Sequence, residues 1–381
     1  MHRVLIAGGG VGGLTAAHKL RQLLPPEDEI IVFDQSAVHT FWPSLLWVMS
    51  GTRRADQVVR PFRALREHGI TVRQGQVTAI NPRAPSVTVE DREQRGDAVI
   101  VALGATLAPE RVPGLAEGGL NLYTLAGAEE IWRRLQALEA GQVAVLISSS
   151  PFKCPAAPYE AAMLIDGYLR KRRRRDRVEV ALYAAEPAPM GVAGPAVSAG
   201  VVTALTERDI AYYPNAAIEK VDAAAQRLFF RGGREGRYDL LVYVPPHRAP
   251  DVVASAGLAA ADSWVTIDRE RLETPFPNVF AIGDIVGIPL AQGKLLPKAG
   301  VFAEGEGEVV AQVLAQRWLG REGARFTGQG ACFIEMGRGV AGFARGNFYA
   351  EPVPAVKVYS SGRHWHLAKI AFERQWWSRW W

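Results

Sequence analysis

The sequence contains very little cysteine. Among its 381 residues only Cys154 and Cys332 carry a thiol, so a small secreted scaffold held together by several disulfides is excluded. The two thiols are far apart in the sequence and can meet only if the fold brings them together. If they do not meet, they are unrelated residues that pack as small hydrophobic side chains.

Long apolar segments are also absent. No run reaches the roughly 18 to 20 uncharged residues that a membrane-spanning helix needs. The first residues, MHRVLIAGGGVGG, lead directly into a strand and a glycine turn. They lack the charged lead, apolar segment and cleavage site of a secretory signal, so we expect the protein to stay in the cytoplasm. The length predicts two or three domains.

A strong excess of one charge is absent as well, since the formal net charge is only +5. Much of the excess lies in LRKRRRRDR, residues 169 to 177. Cations are favourable at a helix C-terminus, so we interpret this run as the solvated end of a helix that begins near Tyr159. A membrane or partner surface is the alternative. No nucleic-acid-binding signature accompanies the run, and no nucleic-acid partner is expected.

The segment RVLIAGGGVGGLTAAHKLRQL carries the most informative motif. A buried strand, Val4–Ala7, precedes glycines in the pattern G-x-G-x-x-G, and helical apolar spacing follows. The first glycine permits a tight turn, the second lets a pyrophosphate approach the backbone, and the third lets helix and strand pack closely. A second strand ends about 20 residues on in an acid, where ribose hydroxyls can bind. The predicted dinucleotide site contains Gly8, Gly10, Gly13 and Asp34.

Two later segments indicate which dinucleotide binds. AVIVALGA, residues 98 to 105, predicts a strand whose small-residue turn, with Ala102 and Gly104, passes beneath the cofactor. TPFPNVFAIGDIVG predicts a strand that ends in Gly283 and Asp284. It resembles the motif of flavoproteins with two dinucleotide-binding domains, in which the aspartate binds the ribityl chain. The order and spacing of these motifs imply FAD rather than NAD.

Glycine is missing where a second dinucleotide would bind. An apolar strand, 143–147, and a helix, 159–169, flank a turn that reads SSSPFKCP. Side chains and proline rings obstruct the close approach that a pyrophosphate needs, so tight NAD(P)H binding is not expected. Cys154 stands shortly before the helix and beside Lys153. Both features favour thiolate over thiol.

Three segments carry a family resemblance: PFKCPAAPYEAAMLIDGYLR, LLPKAGVFAEGEGEVVA and ACFIEMGRGVAGFA. They resemble the signature segments of the sulfide:quinone oxidoreductase and flavocytochrome c sulfide dehydrogenase flavoproteins, and the likeness extends over essentially the whole chain. In that family two cysteines flank the flavin and form a disulfide or polysulfide bridge; Cys154 and Cys332 fall on their positions. Lys298 falls near the pyrimidine end of the ring, where a cation stabilises the anionic reduced flavin.

Two departures from the family are visible. Many quinone-reducing members use a third cysteine before the second domain, where this chain has LNLYTLAGAEE. The cytochrome-coupled members attach FAD through a cysteine after the second strand, where this chain has HTFWPSLLWVMSG. FAD is therefore expected to be noncovalent.

The resemblance implies that sulfide attacks a Cys154–Cys332 disulfide, leaving a persulfide and a thiolate that passes two electrons through FAD to a quinone. Three alternatives stay open. One is an NAD(P)H-dependent flavin disulfide or quinone reductase. Another is an electron-transfer or redox-sensing flavoprotein without sulfide turnover. The third retains the fold but oxidises a different small sulfur species.

The predicted architecture is α/β with two Rossmann-like domains and a small C-terminal domain. Residues 1–110 and 240–320 form the FAD-binding domain, 111–239 the inserted, degenerate second domain, and 321–381 the C-terminal domain. The chain closes with four tryptophans among basic residues in KIAFERQWWSRWW. These suit peripheral contact with the inner face of the cell membrane, or packing on the protein or on a second subunit in a homodimer.

Overall fold

The computed structural model describes residues 1–381. Its α-helices are α1 (Val11–Leu23), α2 (Leu45–Met49), α3 (Leu115–Gly118), α4 (Leu125–Ala137), α5 (Ala157–Lys171), α6 (Pro195–Thr206), α7 (Asp251–Ser255), α8 (Gly300–Leu319) and α9 (Arg363–Trp380). The strands of the first half are β1 (Arg3–Ala7), β2 (Glu29–Asp34), β3 (Val38–Thr40), β4 (Val59–Pro61), β5 (Thr71–Gln74), β6 (Val77–Asn81), β7 (Ser86–Val89), β8 (Arg92–Arg95), β9 (Ala98–Val101), β10 (Thr106–Leu107), β11 (Leu120–Asn121), β12 (Gly141–Ile147) and β13 (Val178–Ala184). The strands of the second half are β14 (Ala211–Tyr213), β15 (Ile218–Asp222), β16 (Arg227–Phe230), β17 (Glu235–Arg237), β18 (Leu240–Val244), β19 (His247–Arg248), β20 (Val279–Ala281), β21 (Gln329–Glu335), β22 (Ala341–Asn347) and β23 (Ala355–Gly362).

The first sheet is parallel, with the strand order β20-β9-β1-β2-β5. Strand β9 and most of β1 are buried, as expected for parallel strands covered on both faces. Helix α1 connects β1 to β2 and packs against α8. The contact is close because Gly307 lies against the backbone of Gly12, where a Cβ on Gly307 would come within 2.5 Å of the Gly12 carbonyl oxygen.

The second sheet is also parallel, with the order β11-β18-β12-β13-β14. The predicted α/β class with two Rossmann-like units is therefore confirmed. Strand β18 pairs with β12 in this second sheet, so the predicted return to the first domain at residue 240 is too early. The apolar run LLVYV is buried at every position, and such a run does not reveal from its composition which sheet it joins.

The C-terminal segment forms an antiparallel sheet, β21-β22-β23, followed by α9. Helix α9 folds back onto the protein and buries Trp376 and Trp380, which are 3% and 1% exposed. Membrane contact through these two side chains is therefore wrong, whereas Trp377 and Trp381 are half-buried. None of the nine helices has the length and apolar character that crossing a lipid bilayer requires.

The basic run begins at the end of a helix, as predicted, because α5 ends at Lys171. Its arginines are not all solvated, however. The buried Asp166 carboxylate accepts hydrogen bonds from Arg170 at 3.0 Å and from Arg175 at 2.8 Å. Arg174 pairs with Glu139 at 2.5 Å. Part of the run therefore ties α5 to its neighbours, a role that only long-range contacts reveal.

Candidate functional site

The G-x-G-x-x-G loop leaves room for a ligand at one glycine only. Gly8 has φ +109°, and a Cβ there would lie 2.3 Å from the Ala102 carbonyl oxygen. A Cβ on Gly13 would lie 2.0 Å from the carbonyl oxygen of Gly8. Around Gly10, by contrast, no atom lies within 4 Å of the Cβ position. The outer glycines are thus needed by the fold, and the middle one borders open space suited to a pyrophosphate.

Asp34 ends β2 and faces the same loop. Its carboxylate accepts hydrogen bonds from the backbone N–H groups of Gly9 at 2.7 Å and Ser36 at 2.8 Å. Burial raises its pKa, and the two bonds oppose that shift. Each carboxylate oxygen retains a lone pair, so the group can still accept a hydrogen bond from a ribose hydroxyl.

The turn after β9 brings a second segment to this loop. The Ala102 N–H donates to the Ala7 carbonyl at 2.7 Å, which extends the pairing of β9 with β1. Gly104 has φ +68° and no atom within 4 Å of its Cβ position. The predicted turn therefore lies beside the dinucleotide loop and is open at Gly104.

The Asp284 turn follows β20, and a buried side chain stabilises it. The buried Glu306 carboxylate accepts the Gly283 N–H at 2.5 Å. The Asp284 carboxylate accepts no hydrogen bond from the chain, and burial raises its pKa against the opposing charges of Lys153 and Lys298. An ionisable acceptor that lacks a donor in the protein suits a hydroxyl-bearing ligand.

Lys298 supports this turn directly. Its ammonium donates to the carbonyls of Asp284 at 2.7 Å and Val286 at 2.9 Å, and lies 3.4 Å from the centroid of the Trp264 ring. Burial lowers the pKa of Lys298 to about 8. The resemblance predicts Lys298 near the flavin ring, and the geometry shows that its ammonium binds the carbonyls of the Asp284 turn.

Cys154 is joined to the same segment through its backbone. Its N–H donates to the Lys298 carbonyl at 2.6 Å and its carbonyl accepts the Ala157 N–H at 3.0 Å, while the Tyr123 hydroxyl donates to the adjacent Lys153 carbonyl at 2.6 Å. The residue has φ +47°, a left-handed conformation that is uncommon outside glycine. A thiol of the second domain is thereby fixed beside the turn that carries Asp284.

Cys332 reaches the same region from β21. Both cysteines are half-buried free thiols and pack against one apolar cluster. Burial raises the pKa of Cys332, and a negative charge on Cys154 or Glu160 adds to that shift. The Cys332 thiol also contacts the Phe333 carbonyl at 3.2 Å. The fold therefore brings the two thiols into one shared electrostatic environment, although their sequence separation is large.

The expectation that Cys154 is a thiolate is wrong. Burial raises the pKa of its thiol to about 12, with a further contribution from the negative charge of Glu160. Burial likewise raises the pKa of Cys332 well above its ordinary value, while Lys369 opposes the shift at both thiols. Desolvation of the thiolate outweighs the nearby helix N-terminus and Lys153, and local sequence does not report that burial.

The thiols of the reduced protein are therefore expected to react slowly with iodoacetamide. With a pKa of about 12, the thiolate fraction of Cys154 at pH 8 is about a thousandfold below that of a free cysteine. The alkylation rate should rise about tenfold per pH unit up to about pH 11. Mass spectrometry of quenched samples measures it, with unfolded protein as the control. A labelling midpoint below pH 9 would contradict the expectation.

Several residues of the site were not predicted from the sequence. The buried Glu160 carboxylate accepts the Lys369 ammonium at 2.8 Å and the Glu335 N–H at 2.7 Å. This ion pair joins α5, β21 and α9 beside the thiols. The sequence indicated Glu160 only weakly, by its position six residues after Cys154. It gave no indication of Lys369, because the partners of that residue are distant in the sequence.

The second Rossmann unit lacks the glycine turn of a nucleotide site. Ser148, the first residue after β12, donates its hydroxyl to the Val244 carbonyl at 2.7 Å. Glu186, shortly after β13, stands where an acid would bind ribose, and its carboxylate accepts the Tyr159 hydroxyl. The turn lacks glycine, which disfavours NAD(P)H here.

Comparisons with known proteins agree with this geometry. The family model for pyridine nucleotide-disulphide oxidoreductases matches residues 2–300. The chain is 28% identical to the mitochondrial sulfide:quinone oxidoreductase of Mus musculus over 305 residues, or 76% of this chain and 67% of that protein. It is 26% identical to the sulfide-quinone reductase of Aquifex aeolicus over 392 residues, or 97% of this chain and 89% of that protein. The X-ray structure of the sulfide:quinone oxidoreductase from Aquifex aeolicus has a TM-score of 0.90 at 25% identity and covers 100% of this chain and 91% of that chain.

Proposed function

This chain belongs to the pyridine nucleotide-disulphide oxidoreductase family, and from that premise we propose that it oxidises sulfide through Cys154 and Cys332 and passes the electrons to a quinone. One observation carries the proposal: the Cys154 N–H is bonded to the Lys298 carbonyl at 2.6 Å. This bond sets a thiol, which lies close enough to Cys332 to influence the pKa of that residue, against the turn that carries Asp284. The named relatives act on sulfide and quinone.

The residues present fit FAD as the cofactor. The open space at Gly10 suits a pyrophosphate, Asp34 can accept from ribose hydroxyls, and Asp284 has an unused carboxylate for the ribityl chain. FAD, when bound, supplies an acceptor for two electrons. Because both cysteines are assigned to the redox pair, no thiol remains for a covalent link, and the cofactor is noncovalent.

The protein's own sulfur atoms perform the first step. Hydrosulfide attacks one sulfur of the oxidised Cys154–Cys332 pair; the bond between the two cysteines breaks and a new sulfur–sulfur bond forms to the substrate. One cysteine then carries a persulfide and the other holds the displaced electron pair, which takes up a proton because burial keeps the pKa of both thiols high. Passing two electrons onward then joins the second cysteine to the persulfide sulfur as a trisulfide, with loss of the protons, so that the substrate sulfur goes from −2 to 0 overall. Lys298 provides positive charge beside the reduced cofactor.

The electron acceptor is a quinone in the cell membrane. The protein reaches it by binding peripherally to the inner face of that membrane. The half-buried Trp377 and Trp381 and the 63% exposed Leu367 give the C-terminal helix apolar surface for such a contact. This assignment replaces contact through all four tryptophans, since two of them lie in the protein interior.

The test is anaerobic stopped-flow of the FAD-loaded protein with sulfide and, separately, with NADH. Sulfide is expected to bleach the oxidised flavin band at least about a hundredfold faster than NADH at equal concentration, because the second nucleotide turn is blocked. Fast bleaching by NADH alone would overturn the proposal in favour of an NADH-dependent reductase. Bleaching by neither donor would favour an electron-transfer or redox-sensing flavoprotein.

A further inference from the structure

His39, on β3, connects the dinucleotide loop to the C-terminal helix. The ring is 2% exposed. Its Nδ1 lies 3.1 Å from the Gly9 carbonyl oxygen, and its Nε2 accepts the Trp376 indole N–H at 3.2 Å. A carbonyl can only accept and an indole N–H can only donate, so the partners assign the proton to Nδ1. Burial lowers the pKa of His39 to about 4, and at neutral pH the ring keeps this tautomer.

The bond to Gly9 determines where the next amide points. The Gly9 carbonyl and the Gly10 N–H belong to one planar trans peptide unit and point in opposite directions. Holding the carbonyl on His39 therefore turns the Gly10 N–H away, and that N–H donates to no acceptor in the chain. On the other side of Gly9, its own N–H is held by Asp34 at 2.7 Å. His39 and Asp34 together fix the loop in the orientation that presents Gly10.

Helix α9 is anchored before and after Trp376. Preceding it, the Glu373 carboxylate accepts from Arg53 at 2.8 and 3.0 Å and from the Ser44 hydroxyl at 2.6 Å. Following it, Arg379 binds two acids of α8, Glu304 at 2.9 Å and Glu308 at 2.8 Å. The indole that holds His39 is thus kept in place by charged contacts to the first domain.

We propose that His39 is a positioning residue through which α9 aligns the dinucleotide loop, so that FAD affinity depends on the docking of the C-terminal helix. The inference rests on the proposed function only for the identity of the dinucleotide as FAD. If His39 lost its bond to Trp376 and released the Gly9 carbonyl, Gly9 would be held by Asp34 alone, and the Gly10 N–H would sample orientations that do not face the pyrophosphate.

The test compares two neighbouring tryptophans. Trp376→Phe keeps the aromatic ring but removes the N–H that holds His39; it is expected to raise the FAD dissociation constant about five- to tenfold, the value of one lost hydrogen bond. Trp377→Phe is the matched control, because the Trp377 indole N–H has no hydrogen-bond partner. It should leave the constant unchanged. Fluorescence titration of apoprotein with FAD gives the constants, and thermal unfolding of the apoproteins is measured in parallel.

A double-mutant cycle with His39→Gln separates positioning from general destabilisation. If the two residues act through one contact, the double variant binds FAD no more weakly than the weaker single variant. Equal weakening by Trp376→Phe and Trp377→Phe, or no weakening by Trp376→Phe, would overturn the inference. If His39→Gln does not fold, the comparison of FAD affinity between Trp376→Phe and Trp377→Phe alone tests the inference. A parent protein that binds no FAD would instead refute the proposed function.

Discussion

Replacing either Cys154 or Cys332 with serine is expected to lower the rate of flavin reduction by sulfide by about three orders of magnitude. Each variant lacks the disulfide that hydrosulfide must attack, and a hydroxyl cannot replace it because oxygen does not form the required bond to sulfur. Both side chains are only half-buried and serine is close to cysteine in size, so the fold should survive. Anaerobic stopped-flow at the oxidised flavin band measures the rate.

The double variant should be no slower than either single one, because the two cysteines act as one unit. FAD content and thermal unfolding of the variants are the controls, since neither thiol contributes to the dinucleotide loop. A single variant that retained a rate within about tenfold of the parent protein would refute the role of the pair.

Gly10→Ala is expected to raise the FAD dissociation constant about a hundredfold, which corresponds to about 3 kcal/mol, while the protein stays folded. Gly10 has φ −73°, which alanine adopts without strain, and no protein atom lies within 4 Å of the added methyl group. The methyl group would instead occupy the space that a pyrophosphate needs. Equilibrium titration of the apoprotein with FAD measures the change.

Two other glycines provide the comparison. Gly13→Ala should prevent folding, because its Cβ would lie 2.0 Å from the Gly8 carbonyl oxygen. Gly200→Ala, on the exposed face of α6, has open space around the Cβ position and should leave both folding and FAD binding unchanged. Unaltered FAD affinity in Gly10→Ala would show that the cofactor binds elsewhere.

The dinucleotide loop was predictable because its determinants are local. Strand, glycine turn, helix and the acid at Asp34 follow one another within a single βαβ unit, and each requirement applies to a specific residue type. The family segments predict Cys154 and Cys332 as the redox pair, since the approach of two thiols so distant in the sequence depends on tertiary structure and could not be deduced from their separation.

The predictions failed where burial or long-range pairing decides. The charge state of Cys154 depends on desolvation by residues distant in the sequence. The two local features, the helix N-terminus and Lys153, predicted a lowered pKa, whereas burial raises it. The surroundings of Trp376 and Trp380 depend on α9 folding back onto His18 and His39, which no periodicity in that helix indicates. Strand β18 was assigned to the wrong domain because its apolar run suits either sheet equally well.

Lys298 contacts two parts of the molecule at once: its ammonium binds the Asp284 turn, and its carbonyl binds the Cys154 N–H at 2.6 Å. A separation of the two Rossmann units by an ångström or two at this point would break that bond, so the bond favours a fixed arrangement of the units by about 1 kcal/mol. A reductant too large to reach the sulfurs without such a separation would first have to break this bond.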